Sequence, residues 1–176
     1  MRDLVEREQL VVKVSETHVF AAPIDEVWEM FRDRDSHVAK FEGMGHRNVE
    51  VVEHEATEDE VRIVIARDVT VELPGFARKV LSPTNHVVST DEWRANGDGT
   101  YGGEFVADTR GAPIEIRGTT HIAPDGDEAT SYELAIDVDV RVPVIGKRLT
   151  NWAKGDVEDQ IRQEFEAGDA WLARRG

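Results

Sequence analysis

The hydrophobic pattern changes period near the end of the chain, and that change constrains the fold more than any other feature. Up to Val142 the apolar residues alternate. Tyr132, Leu134, Ile136, Val138, Val140 and Val142 face one way, and Glu133, Asp137, Asp139 and Arg141 face the other. A period of two with one wet face describes a half-buried antiparallel strand. From Pro143 to Arg175 the spacing becomes helical. Leu149, Ala153, Val157, Ile161, Phe165, Trp171 and Leu172 fall on one broad face at about 100° per residue. Lys154, Glu158, Arg162, Glu166 and Asp169 fall elsewhere. The i+4 steps drift around the helix, as they do when a helix crosses a twisted sheet at an angle. Gln160, Glu164 and Gly168 lie inside the apolar face. The two polar residues point to a pocket with a polar recognition point, and the glycine permits a close approach to the sheet.

The segments before it supply the sheet. Val11 to Phe20 is rich in β-branched residues and predicts a first strand. Pro23 suits the first helical position, with Asp25 and Glu26 at the positive end of the helix dipole. Ile24, Val27, Trp28 and Phe31 keep the i, i+3, i+4, i+7 spacing of one buried face. Asp35 or Ser36 is expected to cap a second short helix through Val38, Ala39 and Phe41, ended by Gly43 and Gly45. Asn48–His54 and Glu60–Val71 predict a hairpin, with Val61, Ile63, Ile65, Arg67 and Val69 sharing a face. Leu73-Pro74-Gly75-Phe76 breaks the pattern, and Ala77–Leu81 predicts a helical turn. Three more strands follow, at His86–Ala95, Thr100–Asp108 and Ile114–Ile122. Asn96-Gly97 and Gly111-Ala112-Pro113 turn between them.

The chain has 176 residues, 40% of them hydrophobic, which suits a single domain over residues 1–176 with a substantial core. No apolar run reaches the roughly 18 residues that span a bilayer, and the charged start, Met1 to Glu8, has no signal-peptide segment. A cytoplasmic location is expected. Cysteine is absent, which excludes disulfides and thiol chemistry. The formal charge of -15 repels phosphate backbones and anionic lipid, so nucleic acid and electrostatic docking to anionic membranes are not expected, and without a spanning apolar run neither is integral membrane association. None of the six histidines forms a metal-binding spacing, and Asn96-Gly97-Asp98-Gly99-Thr100 lacks the rest of a calcium loop. No metal, no cofactor and no catalytic motif is expected.

The order strand, two short helices, about six antiparallel strands and a long helix resembles the START-related helix-grip superfamily (SRPBCC). This group includes birch-pollen-allergen-like proteins and polyketide cyclases. Phe20-Ala21-Ala22-Pro23-Ile24-Asp25-Glu26-Val27-Trp28 is similar to that superfamily's passage from first strand to first helix. Leu73-Pro74-Gly75-Phe76-Ala77-Arg78-Lys79-Val80-Leu81 and Val142-Pro143-Val144-Ile145-Gly146 resemble an actinobacterial branch that is a domain-of-unknown-function family. The resemblance implies an α+β fold, a seven-stranded curved antiparallel sheet around the long C-terminal helix. It also implies a cavity between the two for a lipid-like, sterol-like or polyketide-like molecule.

On that reading the candidate lining is Ile116, Tyr132, Leu134, Ile136 and Val138 from the strands, and Val157, Gln160, Ile161, Glu164 and Phe165 from the helix. Trp93, Phe105 and Trp152 either join it or are plain core. Leu73, Pro74 and Phe76 sit where plant hormone-receptor relatives carry a closing loop, and form either such a gate or a plug for the core. Arg67 is expected to meet Glu164 in the cavity or to receive an acidic ligand head, unless the other face of its strand is buried or it reaches solvent at the rim. Three functions follow. A carrier of an apolar or amphipathic molecule has a mostly apolar cavity. A cyclase or dehydratase has two convergent titratable groups there; by analogy with the fold, Tyr132, Gln160 and Glu164 are the candidate polar groups, with Glu164 as general base. A protein-interaction module, like the fold's chaperone-activator relatives, has a filled core and an exposed apolar patch.

Overall fold

The computed structural model describes residues 10–141 and 146–175. Strand β1 (Leu10–Phe20) leads into helices α1 (Ile24–Arg32) and α2 (Arg34–Gly43). Strands β2 (Arg47–Ala56) and β3 (Glu60–Thr70) follow, then a single 3-10 turn at Ala77–Lys79. Strands β4 (Thr84–Ala95), β5 (Tyr101–Arg110), β6 (Ile114–Pro124) and β7 (Thr130–Val140) precede helix α3 (Gly146–Ala173). All seven strands form one antiparallel sheet in the order β1-β7-β6-β5-β4-β3-β2. The sheet is curved, and this is the helix-grip fold that the strand and helix order predicts. Val142 and the Pro143–Ile145 stretch, expected to end the last strand and begin the helix, lie outside the described residues.

Local chemistry sets the helix ends differently from expectation. Pro23 precedes α1 as its cap, and its carbonyl accepts from the Glu26 and Val27 amides at 3.0 and 3.1 Å. The cap of α2 is Asp33, whose Oδ1 accepts from the Asp35 amide at 2.8 Å. Ser36 turns inward instead, where its hydroxyl donates to the carbonyls of Met30 and Asp33. The buried side of α2 is therefore Ser36, His37 and Phe41, while Val38 and Ala39 are only half-buried.

Helix α3 has 28 residues and runs about 42 Å. Leu149, Ala153, Ile161, Phe165 and Leu172 are buried, and Val157 and Trp171 half-buried, so the helical face is the one the spacing predicts. Gly168 allows the close approach. A Cβ there would stand 2.7 Å from Phe20 Cε1, below any ordinary contact. Phe20 is 2% exposed and stacks on Tyr132, which meets Phe165 edge to face at 5.6 Å. A second glycine shapes the floor. Gly118 pairs across the sheet with Phe105, and a Cβ on it would lie 2.2 Å from that ring. Phe105 can therefore lie flat on β6, leaving space above it.

Candidate functional site

Between the sheet, α2 and α3 is a cavity of two lobes, of about 120 and 130 Å3. His46, Arg67, Ala107, Ile116, Val157 and Gln160 line both, and form a waist between them. The second lobe is mainly apolar. Val69 of β3, Val71 just beyond it, Leu73, Val138, Leu149 and Trp152 form much of its wall. The first lobe is mixed. Trp93, Phe105, Tyr132, Leu134, Ile136 and Ile161 give it apolar surface, and Lys40, Asp91 and Glu164 give it charge.

The register explains how the polar groups converge. On β4, Val87, Ser89, Asp91 and Trp93 alternate onto the inner face. Asp91 stands opposite Ile63 on one side and Phe105 on the other, and Ser89 opposite Ile65 and Ala107. Arg67 reaches diagonally from β3, and its Nη1 donates to Ser89 Oγ at 2.8 Å. Its guanidinium lies 3.8 Å from the centroid of the Phe41 ring, a cation–π contact. Arg67 is 8% exposed and its Nε is buried without a hydrogen-bond partner. Burial lowers its pKa to about 10, against the pull of Asp91 and Glu164, and it stays cationic at neutral pH.

Glu164 points into the first lobe from α3, but its direct partner is Lys40 of α2, Nζ to Oε1 at 3.1 Å. Arg67 and Glu164 thus reach the same lobe without pairing directly. Gln160 is engaged with its own helix, Nε2 donating to Asp156 at 2.6 Å. Burial raises the Asp156 carboxyl above its usual range. Asp91 is different. Among the described residues no group hydrogen-bonds or ion-pairs with it. It is half-buried, and the surface it keeps opens on the cavity it lines. Burial pushes its carboxyl above the usual range, with Lys40 and Arg67 pulling down and Glu164 pushing up.

Two histidines complete the polar wall as neutral groups. His37 is 3% exposed, and its Nε2 donates to the Phe31 carbonyl at 2.8 Å, leaving Nδ1 buried and unpartnered. Burial, and then Lys40, lowers its pKa to about 3. His46 stacks on Phe41 and is lowered to about 4 by burial and by Arg67 and Lys40. Tyr132 and Thr120 also line the first lobe. Thr120 Oγ1 is buried without a partner, and no described residue hydrogen-bonds the Tyr132 hydroxyl. Burial holds the Tyr132 pKa well above 10, so it is a neutral O–H donor.

Most of the residues singled out in the sequence meet here, and three do not. Phe165 packs behind the cavity, stacked on His18 at 4.7 Å. Phe76 lies beneath the start of α3, with the Arg148 guanidinium 4.6 Å from its ring centroid. The Pro74 carbonyl accepts from the Ala77 amide at 2.9 Å and serves the 3-10 turn. Leu73 alone of that segment reaches the second lobe, and with Ala77 and Leu81 it is buried. Sequence reasoning missed Lys40, Asp91, His37 and His46. Asp91 had a signal, since it lies two residues before Trp93 on the same strand face. Among the described residues no group of three or more potential metal ligands stands together, and no helix is long and apolar enough to cross a membrane.

The family profile of a "protein of unknown function (DUF2505)" matches residues 15–172. The chain belongs to the DUF2505 family. No curated protein sequence matches it. Solved structures with the same fold include TTHA0849 from Thermus thermophilus, at 14% identity and TM-score 0.65, covering 93% of this chain and 99% of that one. The Zhui aromatase/cyclase from Streptomyces sp. R1128 is 18% identical with TM-score 0.63, over 94% and 96% of the two chains. A START superfamily protein from Mycobacterium smegmatis is 12% identical with TM-score 0.59, over 93% and 99%. At these identities the likeness is one of fold. The chain therefore shares the fold of these START-related structures.

Proposed function

We propose that this DUF2505 protein binds a small amphipathic molecule, its apolar body in the second lobe and an acidic group at Arg67. The observation that carries the reading is the buried, unpartnered Nε of Arg67 at the waist of a two-lobed cavity. A buried donor without an acceptor is costly, and an anionic ligand removes that cost. Size narrows the ligand. Each lobe approaches the roughly 150 Å3 of an apolar cavity that holds benzene. Together the lobes approach the lower end of the roughly 300–1,000 Å3 usual for ligand sites. One or two rings with an acidic substituent fit this space better than a sterol. The exposed large hydrophobics Val11, Val19, Val52 and Val106 are spread over β1, β2 and β5, which gives little support to a protein-docking patch. The cyclase or dehydratase alternative gains from the titratable groups that converge in the first lobe.

The test is calorimetric binding of 2-naphthylacetate beside the uncharged 2-(2-naphthyl)ethanol. Hydrogen bonds to charged groups contribute about 1.5–3 kcal/mol. Arg67→Leu should therefore weaken the acid about 10- to 100-fold and leave the alcohol nearly unchanged. Equal affinity of both proteins for the acid would overturn the assignment of Arg67.

A further inference from the structure

We propose that the first lobe is a proton-transfer site, in which Asp91 takes a proton from the carbon beside a ligand carbonyl and the Tyr132 hydroxyl holds the resulting enolate oxygen. The inference rests on the binding reading above and names what happens to the bound molecule.

Elimination among the groups of the lobe leads to Asp91. Glu164 is committed to Lys40, and Gln160 to Asp156. His37 and His46 have free Nδ1 atoms, but the buried, cation-flanked ring of each is a weak base. Asp91 alone offers a carboxylate with no bonded partner, on the inner face and open to the cavity. Burial makes it more basic than an ordinary aspartate, while two cations, Lys40 and Arg67, oppose that shift. The opposite requirement, a donor for developing negative charge, is met by the free hydroxyl of Tyr132. The Tyr132 ring centroid stands 6.1 Å from that of Trp93, two residues along β4 from Asp91. A preorganised donor and a base of raised pKa are the two parts that enolisation needs.

The step balances without a co-reactant. The Cα–H bond breaks, its proton passes to an Asp91 oxygen, and the electron pair forms the C=C bond of the enolate. The carbonyl π pair moves onto oxygen, where the Tyr132 O–H donates to it. Return of a proton from Asp91 reverses the step. Where the next carbon bears a hydroxyl, the enolate expels it, and it leaves as water with the Asp91 proton. The substrate class is an aromatic or cyclic ketone with an acidic substituent for Arg67.

The probe is 2-tetralone, whose C1 hydrogens exchange with deuterium in D2O and are followed by proton NMR. Wild-type protein should accelerate the exchange about 100-fold or more relative to Asp91→Asn. Tyr132→Phe, which keeps the ring, should lose about 100-fold. In Asp91→Ala, added acetate should restore a measurable part of the rate, which a purely structural role would not allow. Binding of 2-naphthylacetate by each variant checks that the cavity is intact. Equal exchange by wild type and Asp91→Asn, with both binding the acid, would overturn the proposal. So would an Asp91→Ala loss that acetate does not rescue. If wild type fails to bind 2-naphthylacetate, the ligand reading falls instead, while Asp91-dependent exchange would still support the site.

Discussion

Replacing His37 by glutamine should flatten the acid limb of the stability profile. The folded-state pKa of His37 is lowered from 6.5 to about 3, first by burial and then by Lys40. Between those values the unfolded chain binds a proton that the folded chain refuses, so stability rises with pH across the interval. The contribution is fully present above pH 6.5 and disappears as pH falls toward about 3. At about 1.4 kcal/mol per pH unit it amounts to several kcal/mol by the low end. His46, lowered to about 4, adds a smaller effect of the same sign. Asp91 and Asp156, raised by burial, work the other way, because the folded state protonates them sooner. The difference between wild type and His37→Gln removes these common contributions. Glutamine can still donate to the Phe31 carbonyl, which keeps the α1–α2 corner closed. Urea midpoints at pH 7, 5 and 4 decide the matter. Wild type should lose stability more steeply than the variant, and parallel losses would show that His37 does not control the acid limb.

Phe20→Ala should be the costliest change in the core, at about 3–5 kcal/mol. Its ring joins β1 to β7 through Tyr132 and fills the notch that Gly168 leaves in α3. Gly168→Ala in the wild-type background drives a methyl against that ring and should cost about 1–3 kcal/mol. In the Phe20→Ala background the same methyl enters open space. The penalty should shrink by about 1 kcal/mol or more, a coupling that a double-mutant cycle in urea measures. Additive costs would mean that helix and ring do not limit each other.

The parts of the fold that were legible are those whose periods were clean. The last strand alternated without interruption from Tyr132 to Val140. The last helix kept its apolar stripe over six turns, and Phe20 through Trp28 marked the passage into α1. The family resemblance extended these fragments to the whole sheet. The charged half of the cavity was harder to read, for a physical reason. Polar residues on a short helix look like a solvated face, so Lys40 and His37 gave no sign that α2 turns them inward. Val38 and Ala39 looked like better core residues. On β4 the alternation did place Asp91 beside Trp93, yet only the pairing of Asp91 with Ile63 and Phe105 sets it over the cavity floor. Strand register depends on partners far away in sequence, and no local period encodes it. The pairing of Arg67 with Glu164 was one of several open readings, and the direct route from Glu164 leads to Lys40 instead.

The waist between the lobes has a consequence for how the proposed ligand preference is encoded. The charged half is furnished by α2, Arg67 of β3, the middle of β4 and Glu164 of α3. The greasy half is furnished by the ends of β3, β6 and β7, the Leu73–Leu81 connection and the opening turns of α3. On the proposed reading, head and tail preferences are thus written mostly on different side chains. A substitution at Leu73 or Trp152 should, on that reading, retune which tail is accepted and leave the polar chemistry intact, while a change at Lys40 or Asp91 should alter the chemistry and keep the tail.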